Sequence, residues 1–262
     1  MKSFVIILGF ALAGGFANAA SAGVLIEQNF ESLPPGTILR TVPGWVGTTN
    51  SFRVDNQTGL AATGSHYLTA PSRTGVGDNK RFVWFDASAA FNARPAGENT
   101  VVGDVKMFVP DVTESTYGGM FMYDQLGNSI GVVGLEMLSH MTLTSASTGV
   151  NNFAVNIGQY NDLGMSANFD SGLVTYRVNG KTVGSSHMSA GNLAAGFGDF
   201  DFYNNGFNAT SSVPFRYDDY RVATVPEPGT YALLSVGFGL LGLVARRRQY
   251  NLANGPAHAA RT

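Results

Sequence analysis

Short runs of alternating apolar and polar residues fill the middle of the chain, separated by clusters of Gly, Asn, Asp and Ser. Such runs between turn residues predict β-strands that pair in a mainly β, antiparallel two-sheet sandwich. Helix is expected almost only in the two terminal segments, because the residues between them show no sustained helical period. Strands are expected at Val24–Phe30, Arg81–Phe85, Val101–Val109, Met120–Tyr123, Ile130–Leu138, Phe153–Ile157, Leu173–Val178, Gly198–Tyr203 and Phe215–Val222.

A hairpin is predicted where the strand Leu173–Val178 meets Asn179-Gly180 and continues into Lys181. Asn-Gly readily adopts the positive φ angles of a type I′ turn, whose twist matches that of paired strands. Side chains two apart on a strand share one face. We therefore expect the turn at the surface and one strand face in the core, formed by Val174, Tyr176 and Val178.

The N-terminus has the order of a secretory signal peptide. Lys2 precedes an apolar run over residues 4–16, and the small residues Ala17-Asn18-Ala19 follow it. We assign residues 1–22 to a signal helix, with cleavage after Ala19 or after Ala22. The ectodomain then covers residues 23–224.

An uncharged stretch over residues 231–245 lies between Val225-Pro226-Glu227-Pro228 and Arg246-Arg247-Arg248. As a helix it would be about 22 Å long, short of the ~30 Å hydrocarbon core unless flanking residues extend it and the arginines snorkel. With that extension, we predict a single transmembrane helix there. Basic residues stay on the cytoplasmic side, so residues 249–262 would form a cytoplasmic tail and the ectodomain would lie outside.

This C-terminal segment, residues 225–248, resembles the PEP-CTERM sorting signal of Gram-negative bacteria that produce exopolysaccharide. The same module is also labelled the ice-binding-protein C-terminal domain. The resemblance implies export by the secretion machinery, a transient stay in the inner membrane through the C-terminal helix, and processing by an exosortase. The mature protein would then reach the cell surface or the extracellular space. The implied sorting residues are Val225, Pro226, Glu227, Pro228, Arg246, Arg247 and Arg248.

The hairpin, with residues 163–170 before it, resembles part of the concanavalin A-like, laminin-G-type jelly rolls. The opening residues 28–31 and the closing residues 217–222 are similar to the first and last strands of that group and of jelly-roll carbohydrate-binding modules. In those modules a Phe-Glu and an Asp-Asp often share one Ca²⁺. The resemblance thus implies a structural calcium ion at Glu31, Asp218 and Asp219. Alternatively, one of the two aspartates is solvated and the other pairs with Arg216 or Arg221.

The charge of the ectodomain limits its partners. Residues 23–224 contain 17 acidic and 11 basic residues, a net charge of −6. A mildly acidic domain disfavours nucleic acid and anionic lipid, whereas cations or neutral polymers match it better. The chain has no cysteine, so thiol chemistry is excluded.

Catalytic patterns are weak. The four histidines, His66, His140, His187 and His258, lack the spacing of metal or catalytic motifs. Asp199-Phe200-Asp201 places two carboxylates on one strand face, as a glycosidase would require, but a solvated face with Phe200 and Phe202 inside is the favoured interpretation. We predict no catalytic residue and no enzyme activity.

The two tryptophans are the remaining candidates for ligand contact. Trp84 lies in an apolar run and is expected in the core, whereas Trp45 follows Pro43-Gly44 and is the candidate for an exposed ligand-binding residue. The sequence favours a non-catalytic cell-surface or matrix protein with exopolysaccharide as its candidate ligand. The alternatives are a glycan-active enzyme of jelly-roll fold and a structural or adhesive matrix protein.

Overall fold

Two antiparallel β-sheets face each other across an aromatic core in the computed structural model of the protein. The structure describes residues 23–50, 52–70, 81–111, 116–138, 141–146, 153–206, 215–226, 239–244 and 246. In chain order the elements are β1 (Gly23–Gln28), a 3-10 turn (Leu39–Thr41), β2 (Trp45–Gly47), β3 (Arg53–Asp55), β4 (Tyr67–Ala70), β5 (Arg81–Asp86), α1 (Ser88–Asn92), β6 (Thr100–Val109), β7 (Thr116–Asp124), β8 (Ser129–Leu138), β9 (Met141–Ala146), β10 (Gln159–Asn168), β11 (Leu173–Val178), β12 (Lys181–His187), α2 (Ala190–Ala195), β13 (Phe197–Gly206) and β14 (Phe215–Val225).

The larger sheet has the order β12-β11-β10-β6-β14-β4-β3, and β1 also pairs with β14. The smaller sheet has the order β2-β5-β13-β7-β8-β9. Some strands that are neighbours in a sheet, such as β6 and β14, are distant in sequence. The chain between them passes through both sheets, as in jelly rolls. The predicted antiparallel two-sheet sandwich is therefore confirmed.

The predicted hairpin is also confirmed. Asn179 and Gly180 have φ angles of 50° and 74° and are exposed. The inner face of β11 is buried, as expected, and it is formed by Val174, Tyr176 and Val178.

Several boundaries differ from the predictions. Residues 153–157, expected as a strand, have no regular structure, and the strand begins later, at Gln159. The short strands β2, β3 and β4 were not expected, because three or four residues are too few to show alternation. Two short helices also occur within the ectodomain. One of them, α2, starts with a capping box in which Ser189 and Asn192 exchange hydrogen bonds.

The core is dominated by aromatic rings from both sheets. Phe202 of β13 is fully buried, stacks on Trp45 with ring centroids 5.9 Å apart, and contacts Tyr217 and Tyr220 of β14 at 5.0 and 4.7 Å. Each tyrosine hydroxyl donates to a backbone carbonyl of β13, Tyr217 at 2.6 Å and Tyr220 at 3.1 Å. These bonds satisfy buried polar groups and hold β13 in a fixed position against the larger sheet.

Both terminal assignments lie largely outside the described residues. The signal helix over residues 1–22 falls outside them entirely, as does most of the predicted transmembrane segment. Residues 239–244 are helical, and their apolar side chains, such as Leu241 at 66%, are exposed. Within the described ranges, no helix has the length and apolarity required to span a membrane.

Candidate functional site

The outward side of the smaller sheet carries aromatic side chains where a solvent-facing sheet surface would normally be polar. Strands β5, β7 and β13 are adjacent, and their alternation buries one set of residues in the core. The other set faces outward and is half-buried. We call this set the aromatic face: Phe82, Trp84, Phe121, Tyr123 and Tyr203.

Most rings of the aromatic face contact one another across the strands. Phe82 lies 5.0 Å from Tyr203 and 5.7 Å from Phe121, measured between ring centroids. Phe121 stacks on Tyr123 at 5.9 Å with an angle of 12° between the ring planes. These contacts hold the rings in fixed orientations, and a contiguous apolar patch on an outer surface is a typical feature of a binding site.

Two aspartates lie within this face. Asp201 is paired across the strands with Trp84 on one side and Phe121 on the other, and Asp199 is paired with Asp86 and Tyr123. Only 5% of Asp201 is exposed, so the expectation of a solvated acidic face is wrong for this residue. We call Asp199 and Asp201 the acid pair. Phe200 and Phe202 are fully buried on the opposite side, as expected.

The carboxyl groups of the acid pair lie close enough for each to affect the pKa of the other. The Oδ1 atoms of both residues are buried and have no hydrogen-bond partner. A buried oxygen without a donor costs free energy, typically 1–3 kcal/mol. Both oxygens are shielded from solvent, so they lower the stability of the ionised pair and are not presented at the surface.

Burial also changes the protonation of this region. Desolvation raises the pKa of Asp199. Desolvation also raises the pKa of Asp201, and the neighbouring Asp199 carboxylate raises the pKa of Asp201 further. The pair therefore keeps one proton near neutral pH, held by Asp201. Burial, followed by the nearby charges of the acid pair, raises the pKa of Tyr123 to about 12, so its hydroxyl stays a hydrogen-bond donor.

Two glycines lie beside the aromatic face. Gly119 and Gly134 are cross-strand partners, and Gly119 is also paired with Tyr203. A Cβ atom on Gly119 would lie 2.5 Å from the Val133 carbonyl oxygen, so this position excludes a side chain. Gly119 is buried, whereas Gly134 is partly exposed beside the aromatic face.

The outward side of the larger sheet has a different character. It carries ion pairs between neighbouring strands, with Lys106 2.7 Å from Asp162 and Arg177 3.0 Å from Asp104. These residues, together with Asp219, line a shallow cleft. Its charges are already paired with one another, so the aromatic face is the stronger candidate for ligand binding.

The two tryptophans differ in exposure in the opposite sense from that expected. Trp45, expected in an exposed turn as a ligand-binding residue, is only 5% exposed and belongs to the core, so that expectation is wrong. Strand β2 directs its side chain inward, where it contacts Phe202 and, at 5.8 Å, Phe85. Trp84, expected in the core, is half-buried on the outward side.

The three acids implied in calcium binding all accept hydrogen bonds from one loop, residues 62–66. Glu31 accepts hydrogen bonds from the backbone N–H groups of Ser65 at 2.8 Å and His66 at 2.6 Å. Asp218 accepts from those of Ala62 and Thr63 at 2.9 and 3.0 Å, and the Thr63 hydroxyl donates to Asp219. These donors occupy the oxygens that a cation would need, and in the described part of the chain no three His, Asp or Glu side chains group around a possible metal position. Calcium binding stays a prediction, and these contacts do not favour it.

The sorting segment is the part of the chain with a recognisable family. Residues 224–248 match the PEP-CTERM protein-sorting motif. The motif implies an exported protein targeted to an exosortase and sorted to the cell surface, as the sequence indicated. None of the curated proteins matches the chain.

Solved structures share the sandwich fold at low sequence identity. A carbohydrate esterase from the Shiga toxin-encoding bacteriophage phi24B has a TM-score of 0.52 and 12% identity, over 78% of this chain and 99% of that one. The CBM2 module of the evolved Dit of Lactobacillus casei BL23 phage J-1 has a TM-score of 0.51 and 10% identity, over 79% and 97%. A sialidase aligns over 77% of this chain at 7% identity and a TM-score of 0.45, and the chain spans 19% of its length. The ectodomain thus shares a jelly-roll β-sandwich fold with the esterase and the CBM2 module.

The sequence contained a signal for the aromatic face that strand prediction alone does not use. Residues 81–86 of β5 and 197–203 of β13 carry large aromatic side chains on both faces of the strand. A strand in a two-layer sandwich needs apolar residues only on its inner face. Aromatic residues at consecutive positions of these two neighbouring strands therefore indicate that the outer face has a second use.

Proposed function

We propose that this protein is a non-catalytic polysaccharide-binding protein of the cell surface or extracellular matrix, and that the aromatic face is its binding surface. The proposal rests on one observation: a patch of half-buried aromatic rings on the open side of a sheet surrounds the buried Asp201 and the half-buried Asp199. Sugar rings present apolar C–H faces and a periphery of hydroxyl groups, and sites with this mixture of surfaces suit such ligands.

The two structural neighbours with the higher TM-scores are consistent with this proposal, since their names describe a carbohydrate esterase and a CBM2 module. At 10–12% identity they support the fold, and their ligands are not transferred to this chain. The sorting motif supports delivery to the cell surface, where a polysaccharide ligand would be encountered.

The geometry of the acid pair favours binding over hydrolysis. A retaining glycosidase needs two carboxyl groups about 5–5.5 Å apart, and an inverting one needs about 6.5–9.5 Å. Asp199 and Asp201 lie two residues apart on one strand face, and Asp201 is only 5% exposed, so the two carboxyl groups do not flank an open cleft as either mechanism requires.

The experiment is a glycan array together with reducing-sugar release assays on the purified full-length protein. We expect binding to polysaccharide without release of reducing ends, and we expect Trp84→Ala to weaken binding at least tenfold. Leu173→Ala removes an apolar side chain that is 39% exposed on the larger sheet, and it should leave binding unchanged.

Each other outcome selects a different function. Release of reducing ends that depends on Asp199 or Asp201 would identify a glycan-active enzyme. Absence of binding to every glycan would contradict the proposal and favour a structural or adhesive role in the matrix.

A further inference from the structure

We infer that the mature protein begins at Gly23 and that its new α-ammonium group forms an ion pair with the buried carboxylate of Glu98. The nitrogen of Gly23 is an uncharged amide in the precursor, so this ion pair forms only after the signal peptide has been removed. The inference rests on signal-peptide cleavage and is independent of glycan binding.

Glu98 is a buried carboxylate with little around it to offset its charge. It lies in the loop between α1 and β6 and is only 5% exposed. Its Oε2 atom accepts a hydrogen bond from the Thr224 hydroxyl at 2.5 Å. Within the part of the chain that the structure describes, no Lys, Arg or His forms an ion pair with it. A carboxylate removed from water is costly unless a cation compensates it, so the site lacks a positive charge.

The first residue of the ectodomain lies against this carboxylate. Gly23 begins β1 and is paired with Thr224 of β14. A Cβ atom on Gly23 would lie 2.9 Å from Glu98 Oε2 and 2.7 Å from Thr224 Oγ1. The nitrogen of Gly23 is bonded to the same α-carbon, about 2.5 Å from that Cβ position, and therefore lies within about 5.5 Å of Oε2. Opposite charges within about 4–6 Å favour each other's charged form. A free amino group at Gly23 would thus supply the missing cation.

The cleavage position decides whether the charge reaches Glu98. Ala20-Ser21-Ala22 precedes Gly23 and has the small-residue pattern of a signal-peptidase site, as Ala17-Asn18-Ala19 does. Cleavage after Ala19 would leave three more residues, which carry the ammonium group up to about 10 Å further along the chain. Only cleavage after Ala22 places the charge beside the carboxylate.

The ion pair would join the two ends of the ectodomain. Thr224, which donates to Glu98, is fully buried and is the first residue of the sorting segment. Its hydroxyl also lies 3.3 Å from the carbonyl oxygen of Gly23. Removal of the signal peptide should therefore strengthen the pairing of β1 with β14 at the point where the sorting segment leaves the sandwich.

The first test identifies the N-terminus of the exported full-chain protein by mass spectrometry and measures the reactivity of its α-amino group. We expect the chain to begin at Gly23. An amine-reactive ester at pH 7 should label this amine at least tenfold more slowly in the folded protein than in urea. A mature chain that begins at Ala20, or an amine that reacts equally fast in both states, would overturn the inference.

The second test removes the charge of Glu98. Glu98→Gln keeps the side-chain size and an oxygen that can accept from Thr224. In the exported protein it should lower the melting temperature by at least about 5 °C and speed labelling of the Gly23 amine at least tenfold. Glu27→Gln makes the same change at an exposed position of β1 and should do neither.

The third test moves the ammonium group away from Glu98. Ala22→Leu replaces the small residue required at the cleavage site, so cleavage shifts to Ala19 or fails, which mass spectrometry records. In this background Glu98→Gln should leave the melting temperature unchanged or raise it. An equal loss of stability in both backgrounds would show that Glu98 acts only through Thr224, and it would overturn the ion pair.

If Glu98→Gln does not accumulate as a folded protein, the labelling rates of the other two proteins decide. Slow labelling in folded wild type, together with fast labelling of the N-terminal amine in folded Ala22→Leu, supports the inference. Equal rates in these two folded proteins would overturn it.

Discussion

At the scale of single residues, two acids of this protein have opposite surroundings. Glu31 is satisfied by backbone N–H donors, whereas Asp201 has an oxygen without any donor. The first arrangement stabilises the carboxylate and the second destabilises it. The pKa values move in opposite directions accordingly, and each shift gives a pH dependence that can be measured.

Asp201→Asn should stabilise the protein, most strongly at high pH. Burial raises the pKa of Asp201 above its ordinary value of 3.8. The contribution of Asp201 to stability is therefore complete below about pH 3.8 and is lost as the pH rises towards the folded-state pKa. An asparagine cannot ionise, so the gain should be small at pH 4 and on the order of 1–2 kcal/mol at pH 8, as for other stabilising changes at functional sites. Thermal melts between these pH values check this, and a gain independent of pH would contradict it.

Glu31→Gln should destabilise the protein at neutral pH. The backbone N–H groups of His66 and Ser65 lower the pKa of Glu31 to about 2. Because the folded-state pKa is lowered, the stabilising effect is present above about pH 4.5 and is lost as the pH falls through about 2. The difference in melting temperature between wild type and variant should thus narrow from pH 5 to pH 2. A difference that stays constant over this range would argue against a role for the charge.

Calcium binding at the same loop is tested by melting the protein with EDTA and then with added Ca²⁺. Since hydrogen-bond donors already surround Glu31 and Asp218, we expect the melting temperature to be unaffected by either addition. A rise with Ca²⁺ that is absent in Asp219→Ala would establish the shared ion that the sequence resemblance implies.

At the scale of elements, the turn between β11 and β12 is the clearest case of local sequence dictating structure. Gly180 has a φ angle of 74°, and a side chain in this conformation costs about 1 kcal/mol or slightly more. Gly180→Ala should lower the free energy of unfolding by that amount in a denaturant titration. Gly134→Ala, where the contacts are ordinary, is the matched control and should change it by less than about 0.5 kcal/mol. Equal effects of the two changes would contradict the turn argument.

The same elements show why part of the site was not predictable. Alternation identified β11 and β13, because their inner residues are apolar and turn residues bound them. Alternation gave the wrong side for Trp84, because β5 is apolar at four consecutive positions, residues 82–85, and alternation cannot distinguish its two faces there. The burial of Asp201 depends on rings from β5 and β7, which are distant in sequence. Trp45 was misassigned because the three-residue strand β2 is too short to show a period.

At the scale of the whole molecule, the sorting motif overlaps the end of the last strand of the sandwich, β14. The motif begins at residue 224, while β14 continues to Val225 and Thr224 is fully buried. We therefore expect the mature surface protein to retain Val225 and to lack everything beyond about Thr230. Mass spectrometry of the surface protein from an exosortase-bearing host measures this, with an exosortase-deficient strain as the control. Intact Arg246–Arg248 on the mature protein, or a C-terminus before Val225, would contradict the prediction.

The position of β14 also affects the order in which the domain can be assembled. This strand is the last in the sandwich, yet it lies between β6 and β4 and pairs with β1, whose Gly23 is opposite Thr224. A chain that crosses a membrane N-terminus first would expose an unpaired edge on β1 and β6 until Val225 emerged, and such edges are prone to aggregation. Completion of the larger sheet therefore coincides with arrival of the sorting motif at the membrane. A premature stop within β14 would release a domain that cannot close, so the final step of translocation is also the final step of folding.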